Sequence, residues 1–435
     1  MEWIEFLVLF IAIGGTLMLA GVWIGAAMGI TGLIGITVLD GFDQWQVLGD
    51  ILWNTSNSFT LVAIPLFILM GEIILRSGIS ERLYSGLAFW FARVPGGLLH
   101  TNIFGSAIFS ALSGSSTATA ITVGTVAIPE MDKRAYDGPM TLGSLAAGGC
   151  LGILIPPSIV MIVYGTIAQV SILQLFMAGV VPGLIVIALF MGYIFIRAVA
   201  NPELAPCEHR EFNLPGIWNS MVLVSPAIVL LAAVIGGMYF GIVTPTEAAA
   251  LGCAGAVAIS IIFRQFRWVT IKAAISNSVT TTCVVMFIII NSQVLMFAMA
   301  SAGIPKGLAL SITEFGLPKW QFFVLLFLMY FVLGMFLDGI SMMLLTVPVL
   351  FASVQQMGFD GVWFGVALVI MIEIGQITPP MGLNLFAIHS ISGKYKFSDV
   401  AKGALPYTAL LGITIVLIYI FPELVLFLPE AMIGG

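Results

Sequence analysis

Long apolar runs recur along this chain and restrict what it can fold into. Runs of 18 or more mainly apolar residues lie at 220–240, 276–300, 321–337 and 404–422. As a helix, each is about long enough to cross a ~30 Å hydrocarbon core. Because lipid offers no water to pair with backbone amides, a spanning segment must be a helix or part of a closed barrel. The ~10-residue alternating segments of a barrel do not occur in the sequence, so helices are predicted.

The composition agrees with a membrane-embedded chain. Of its 435 residues, 60% are hydrophobic and 8% are charged, whereas soluble domains carry about 25% charged residues. The longest polar stretch, roughly 200–216, is too short for a soluble catalytic domain and is predicted to be a linker. The acidic start, MEWIEF, lacks the basic region of a signal peptide, so we expect no cleaved leader. The predicted fold class is an all-α polytopic membrane protein.

Weak internal similarity divides the chain into two halves. Three pairs of segments match in the same order, at separations of 223 or 225 residues. The pairs are LSGSS (112–116) with LDGIS (337–341), SGISERL (77–83) with AGIPKGL (302–308), and LGILIPPS (151–158) with IGQITPPM (374–381). The polar linker falls between the halves. We therefore predict two repeats, 1–212 and 213–435.

Each half is predicted to hold five spans and one re-entrant helical hairpin. The hairpins lie at 96–131 and 321–355, and the first has a glycine–serine break at its centre. The spans lie at about 4–20, 22–39, 51–75, 140–165, 172–197, 220–240, 245–263, 272–300, 362–390 and 403–428. Five crossings are an odd number, so the halves have inverted topology. Inverted repeats with hairpins and broken helices are typical of secondary transporters.

The distribution of basic residues orients this topology. With both termini outside, thirteen of the fifteen Lys and Arg residues fall in cytoplasmic loops, and only Lys306 and Lys319 fall outside. Such a bias is expected from the positive-inside rule. In this orientation the first hairpin enters from the cytoplasm and the second enters from the opposite side. Their tips are therefore predicted to meet near the midplane of the membrane.

The first tip, SALSGSSTATA (110–120), concentrates hydroxyl groups inside an apolar region. Gly114 permits a turn there, and a helix that stops and restarts exposes carbonyls and amides. Hydroxyl and carbonyl oxygens suit a small cation, whereas amides at a helix N-terminus suit an anion. A second interpretation is that these small residues only allow close helix packing. For the cluster as a whole we favour a binding site.

The second tip, LDGISMMLLTVP (337–348), carries a carboxylate at membrane depth. Asp338 occupies the position of Ser113 in the first repeat. Such a group needs a cation, a proton or a buried partner. Asp before Gly is also common at turns, so Asp338 could cap a helix, and both roles can hold at once. We favour a cation site.

Two Pro-Pro segments interrupt the spans that follow the hairpins. The first Pro-Pro segment is IPPS (155–158) and the second is TPPMGLN (378–384). Proline removes an amide donor and frees carbonyls, which lipid does not tolerate unless protein or water covers them. We predict that each segment faces a tip, with further oxygens supplied by Gln376, Thr378 and Asn384. A purely structural kink is the alternative, but one proline would suffice for a kink.

Three other acidic residues lie near or within apolar runs. Glu247, in GIVTPTEAAALG (241–252), is interpreted as a helix cap in preference to a coupling residue. Glu72 lies near the inner end of its span, where water could reach it. Glu373 lies deeper, and the sequence leaves open whether it binds a proton or pairs with a polar neighbour.

Four of these segments together resemble a known family, the large membrane subunit of tripartite ATP-independent periplasmic (TRAP) transporters. They are SALSGSSTATA, GIVTPTEAAALG, GMFLDGISMMLLTVPV and IGQITPPMGLNLF. The resemblance implies a Na⁺-coupled importer of organic acids in the bacterial inner membrane, with an elevator-type transport domain moving against a scaffold. It also implies two partners, a small four-helix membrane subunit and a periplasmic substrate-binding protein. We expect the small subunit to be a separate polypeptide.

Carried over by position, the resemblance implies candidate ligands at both tips. The expected Na⁺ ligands are Ser113, Gly114, Ser115, Ser116, Pro156, Asp338, Gly339, Ser341, Thr378 and Pro379. The residues expected near the substrate are Thr117, Pro157, Gln376, Pro380 and Asn384. Backbone carbonyls are expected to supply much of the coordination.

The energetics also favour an ion gradient. No G-x-x-x-x-G-K-[ST] loop for ATP occurs in the sequence. One charge moving down 100 mV yields roughly 2.3 kcal/mol, whereas concentrating a substrate 1000-fold costs about 4.1 kcal/mol. At least two charges are therefore needed, which agrees with one cation site per repeat.

Other functions remain open at this point. A stand-alone ion-coupled anion symporter or exchanger, without a binding protein, is the main alternative. An intramembrane hydrolase would need a base, and no His or Lys lies near the serine cluster in the sequence. A channel is disfavoured by two closed hairpins. Which organic acid is carried stays open: C4-dicarboxylates, sialic acid, other sugar acids and keto acids all qualify, and no nucleic acid partner is expected.

The predicted topology can be tested by labelling. In a chain whose native cysteines are replaced by alanine, Trp45→Cys should react with an impermeant maleimide from the periplasmic side. Trp268→Cys should react only from the cytoplasmic side, because an odd number of crossings separates the two positions. Equal accessibility from one side would contradict the span count.

Overall fold

The computed structural model describes residues 3–206 and 213–433, and these residues fold into α-helices joined by short turns. Ten helices precede residue 207. They are α1 (Trp3–Leu19), α2 (Ile24–Asp40), α3 (Val47–Ser56), α4 (Ala63–Arg76), α5 (Ile79–Phe91), α6 (Leu98–Ser113), α7 (Ser116–Lys133), α8 (Gly138–Leu154), α9 (Ile159–Ala168) and α10 (Ile172–Ala200).

Ten further helices follow residue 213 in the described part of the chain. They are α11 (Leu214–Tyr239), α12 (Pro245–Ile262), α13 (Trp268–Ser301), α14 (Ile304–Glu314), α15 (Lys319–Gly334), α16 (Gly339–Gln356), α17 (Gly361–Gln376), α18 (Leu383–Ser392), α19 (Phe397–Ile420) and α20 (Glu423–Ile433). The predicted boundary between residues 212 and 213 adjoins 207–212, which lie outside the described residues.

The helices are long and apolar enough for a multi-pass membrane protein. Within the described residues, eight helical segments have the length and hydropathy to cross a membrane. The longest, α13, has 34 residues. Their outward faces carry many exposed apolar side chains, such as Leu184, Val229 and Val269, as expected where lipid replaces water. The predicted class, an all-helical polytopic membrane protein, is confirmed.

Two of the predicted spans are wrong as single helices. The span predicted at 51–75 is divided, because α3 ends at Ser56 and a helical turn, Phe59–Val62, leads into α4. The polar Asn57 and Ser58 lie at the division, and such side chains compete with helical hydrogen bonds. The span predicted at 403–428 ends at Ile420, since Pro422 restricts the residue before it and cannot donate an amide hydrogen bond.

Both Pro-Pro segments end helices, as predicted. Helix α8 stops at Leu154 and α9 begins at Ile159. Helix α17 stops at Gln376 and α18 begins at Leu383. Single prolines behave differently: Pro182 and Pro226, for example, lie inside the continuous helices α10 and α11.

Helices α8 and α17 form the buried centre of the molecule. From Met140 to Leu154 and from Val362 to Gln376, every residue is buried. Helix α8 packs against α6, α7 and α19, and α17 packs against α10, α15 and α19. At Gly143 and Gly403 the backbones of α8 and α19 touch, leaving no room for a Cβ on either residue. Such close contact between small residues is typical of membrane helices.

A second group of helices packs together beside this centre. Helix α13 packs against α2 and α4, α12 packs against α4, and α11 packs against α5 and α12. The short helices α5 and α14 follow Gly78 and Gly303, both in the left-handed conformation. The repeated pattern identified these two segments without predicting that they are helices.

Candidate functional site

The first tip is a helix stop followed at once by a helix start. Helix α6 ends at Ser113, and Gly114 takes a left-handed conformation with φ of 62° while its amide donates to the carbonyl of Ser110 at 2.8 Å. Ser115 then caps α7, its hydroxyl accepting from the amide of Ala118 at 3.4 Å. The left-handed turn explains why glycine stands at the centre of the serine cluster.

The first Pro-Pro segment lies directly against the first tip. A Cβ placed on Gly114 would lie 3.1 Å from the carbonyl oxygen of Pro157. Pro156, Pro157 and Ser158 are all buried, and Ser158 caps α9 by accepting from the amide of Met161 at 3.4 Å. The freed backbone of this segment is therefore covered by protein, with the first tip as part of its cover.

The second tip has the same construction with a carboxylate at the cap. Helix α15 ends at Gly334, and Asp338 caps α16 by accepting from the amide of Ser341 at 3.1 Å. The interpretation of Asp338 as a helix cap is confirmed. The predicted correspondence between Asp338 and Ser113 is wrong. Asp338 precedes the first residue of α16 as Ser115 precedes that of α7, so Asp338 corresponds to Ser115.

The second Pro-Pro segment contacts the second hairpin. The amide of Gly382 donates to the carbonyl of Met335 at 3.1 Å. A Cβ on Gly375 would lie 2.5 Å from the Cα of Gly334, so α15 and α17 touch at their backbones. The hydroxyl of Thr378 donates to the carbonyl of Ile374 at 2.6 Å. This segment is less covered than the first, because Pro380 is exposed.

Both tips line one cavity of about 270 Å³. Helices α4 and α13 complete its wall with Glu72, Thr281 and Val285. The predicted site residues in its wall are Ser113, Gly114, Ser115, Ser116, Thr117, Asp338, Gly339 and Gln376. The structure therefore brings together two segments that are more than 200 residues apart in the chain.

The other predicted residues lie away from this wall. Ser341 lines a neighbouring groove that it shares with Asp338. The residues that line neither of these two spaces are Pro156, Pro157, Thr378, Pro379, Pro380 and Asn384. Pro157 still contributes its carbonyl at the first tip, whereas Asn384 is fully buried behind it.

Glu72 lines the cavity but is not among the site residues predicted from the sequence. Its carboxylate forms an ion pair with Arg76 at 2.9 Å and accepts from Asn277 at 3.5 Å. The signal for it was a Glu and an Arg spaced four apart in an apolar helix, which lie on the same face. Thr281 of α13 carried no comparable signal in the sequence.

Glu373 and Glu247 are also explained by their contacts. Glu373 is 1% exposed, and Ser116 contacts its Oε2 at 3.1 Å, so pairing with a polar neighbour is confirmed. Glu247 forms a capping box with Thr244, accepting from its amide at 2.8 Å. The preferred interpretation of Glu247 as a cap is therefore confirmed.

These features define a class of protein: a multi-pass membrane transporter, with interrupted helices gathered around one cavity that contains hydroxyl and carboxylate side chains. The family described as "Tripartite ATP-independent periplasmic transporter, DctM component" matches residues 8–424. The chain belongs to this family and is a large permease component of such a transporter, not an enzyme.

Individual relatives support the assignment over almost the whole chain. The chain is 32% identical over 410 residues to the C4-dicarboxylate TRAP transporter large permease protein DctM of Pseudomonas aeruginosa, covering 93% of this chain and 94% of the relative. It is 31% identical over 396 residues to the sialic acid TRAP transporter large permease protein SiaM of Vibrio cholerae, covering 90% of each.

The fold also has a solved counterpart. The crystal structure of the YdaH transporter of Alcanivorax borkumensis aligns with a TM-score of 0.62, covering 90% of each chain at 12% identity. The shared feature is the fold alone, at this level of identity.

The contact between α8 and the first tip can be tested with a methyl group. Gly152→Ala would place a Cβ 2.6 Å from the backbone of Ser115 and Ser116, so the tip must shift. We expect the transport rate of the reconstituted protein to fall at least about tenfold, which corresponds to a free-energy change of ~1.4 kcal/mol. Gly192→Ala is the matched control, since no atom lies within 4 Å of its Cβ position. Normal transport by both variants would contradict the contact.

Proposed function

We propose that this chain imports an organic acid across the bacterial inner membrane, driven by Na⁺ and supplied by a periplasmic binding protein. The observation that carries the proposal is the meeting of both tips at one cavity in the membrane interior, each tip packed against helix segments freed by Pro-Pro. Oxygens in this arrangement suit Na⁺, and the adjacent space suits a small anion.

Na⁺ is assigned to the two tips. At the first tip, carbonyls and hydroxyls of residues 113–116 lie beside the first Pro-Pro segment, whose Pro157 carbonyl approaches Gly114. At the second tip, Asp338 supplies a carboxylate. It closely follows Met335, whose carbonyl accepts a hydrogen bond from the amide of Gly382. Hydroxyl, carbonyl and carboxylate oxygens are the ligands that hard cations take.

The charge of the cavity explains why cation and anion would bind together. Its described lining contains two carboxylates, Glu72 and Asp338, and no Lys, Arg or His. Glu72 is paired with Arg76, so Asp338 is the carboxylate that would repel an organic anion unless a cation bound first. Bound Na⁺ would supply the positive charge, together with the N-termini of α7 and α16, whose first-turn residues line the cavity. Coupling between ion and substrate then follows from electrostatics.

The proposed transport step is the movement of a transport domain against a scaffold, each built from helices of both inverted repeats. Several corresponding features lie 223 residues apart: the caps Ser115 and Asp338, the starts of α8 and α17, and the prolines Pro156 and Pro379. The proposed transport domain contains the helices of both tips and of both Pro-Pro segments. The proposed scaffold contains α4, α12 and α13. An elevator-type displacement of one against the other would expose the cavity to each side in turn.

The family's tripartite description supports two partners. We assign them as a small four-helix membrane subunit and a periplasmic binding protein, both encoded as separate chains. Both termini of this chain are placed on the periplasmic side, as the distribution of basic residues indicates. The relatives' names favour a C4-dicarboxylate or a sialic acid as substrate.

Reconstitution tests this function directly. The permease, the small membrane protein and the binding protein encoded beside it should together take up the ligand that copurifies with the binding protein. Uptake should require an inward Na⁺ gradient and should stop when the binding protein is omitted. Uptake that persists without the binding protein would support a stand-alone symporter instead, and uptake indifferent to Na⁺ would refute the coupling.

Substitution of Asp338 separates its charge from its cap. Asn caps helices about as well as Asp, so Asp338→Asn should leave the protein folded while removing the carboxylate. We expect Na⁺-dependent uptake to be abolished. Asp360→Asn is the matched control, because Asp360 caps α17 by accepting from Val362 and Trp363 and lines no part of the cavity. Wild-type uptake by Asp338→Asn would remove Asp338 from the site.

A further inference from the structure

We propose a third cation site, behind the first tip, in which Glu373 binds Na⁺ together with side-chain oxygens of Ser116 and Asn384. This buried acid site lies behind the cavity wall, of which Ser116 is a part, and uses residues from both halves of the chain. The inference rests on the proposed Na⁺ coupling and adds an ion to it.

Three elements converge at the buried acid site. Ser116 lies in the first turn of α7, Glu373 lies in α17, and Asn384 lies in α18; they are 4%, 1% and 0% exposed. The Ser116 hydroxyl is at the centre, 3.1 Å from Oε2 of Glu373, 2.7 Å from Nδ2 of Asn384 and 3.0 Å from the carbonyl of Gly149. An ion bound here would be coordinated jointly by the first tip, α17 and α18.

The single hydroxyl proton of Ser116 cannot be donated to both of its acceptors, Gly149 and Glu373. A hydroxyl has one proton to donate and can accept twice. Asn384 donates to it, and its own proton can go either to the Gly149 carbonyl or to Glu373, but not to both. When the proton goes to Gly149, two oxygens face each other at 3.1 Å. A cation between these two oxygens removes that conflict, as would a proton on Glu373.

Charge balance points the same way. The groups beside the Glu373 carboxyl are the Ser116 hydroxyl, the Cys150 thiol and the main chain of Ile153. None of these described neighbours carries a positive charge. A buried carboxylate without a counter-charge is costly in the membrane interior. The neutralising charge must therefore come from outside the chain, as a proton or as a bound cation.

Unpaired oxygens are available as ligands. Oε1 of Glu373 and Oδ1 of Asn384 are buried and have no hydrogen-bond partner among the described residues. Oε1 of Gln376, one turn further along α17, is likewise buried without a hydrogen-bond partner among the described residues. Buried acceptors without partners are rare in folded proteins. Carboxyl and amide oxygens without partners, on the neighbouring helices α17 and α18, are oxygens of the type that a hard cation takes as ligands.

The buried acid site is reachable from the central cavity. Ser116 and Gln376 both line the cavity wall, whereas Glu373 and Asn384 do not. An ion that enters the cavity would pass these two side chains to reach the carboxylate. Binding there would hold the first tip in place before substrate arrives.

Direct Na⁺ binding to the full-length protein tests this site. Binding of ²²Na⁺ would be measured at constant ionic strength in detergent, with a large organic cation as the replacement. Glu373→Gln, which keeps the side-chain shape, should bind one Na⁺ fewer per chain than the wild type. Asp338→Asn should also lose one, from the second tip. Glu247→Gln is the matched control and should bind the wild-type number, because Glu247 acts only in its capping box.

Each outcome decides between the proposals. If Glu373→Gln binds as many Na⁺ per chain as the wild type while Asp338→Asn binds one fewer, the third site is overturned and the proposed function stands. A change in the pH dependence of Na⁺ binding in Glu373→Gln would then mean that Glu373 holds a proton. Absence of Na⁺ binding by the wild type overturns the proposed function itself. If Glu373→Gln does not fold, Asn384→Leu should raise the half-saturating Na⁺ concentration of one site at least about tenfold, and unchanged binding overturns the third site.

Discussion

A backbone amide or carbonyl inside a bilayer has no water to pair with, so every interrupted helix in this protein must be covered by other protein. Four interruptions lie near the centre: two tips and two Pro-Pro segments. They cover one another in pairs, as the approach of Pro157 to Gly114 and the bond from Gly382 to Met335 show. Each pair hides backbone from lipid while keeping oxygens available to a small ligand.

Close approach of backbones makes these pairs possible. The fully buried α8 carries Gly149 and Gly152 at the first tip, and α17 carries Gly375 against Gly334 of the second hairpin. A side chain at any of these positions would push a tip away from its cover. Glycine therefore determines the spacing, while hydroxyl and carboxyl side chains determine the chemistry of the space that remains.

Acidic side chains outnumber basic ones at the site. Acidic groups face the cavity from α4 and from the second tip, and Glu373 lies behind the first tip. Within the described residues, the basic partner of these acids is Arg76, which is paired with Glu72. An arrangement with excess negative charge in a membrane is stable only with bound cations or protons. In the proposed function, that requirement links the occupancy of the site to the Na⁺ gradient.

Much of this could be predicted from residues that act locally. Apolar length determined the helices, because a helix must satisfy its own backbone in lipid. Two adjacent prolines determined the breaks, whereas single prolines such as Pro182 left their helices intact. Gly114 and Asp338 marked the tips because a left-handed turn and a helix cap are local demands. The division near Asn57 was missed, since its polar signal is short and lies inside an apolar stretch.

What only the tertiary structure decided is which of these groups meet. The contact between Ser116 and Glu373 joins residues 257 positions apart, and the contact of Ser116 with Asn384 joins residues 268 apart. No local propensity encodes such a pairing, because it depends on how whole helices cross. For the same reason, the sequence showed that Glu72 and Glu373 lie in apolar runs but did not show where they lie in the fold. Glu72 lies in the cavity wall, and Glu373 lies behind the first tip.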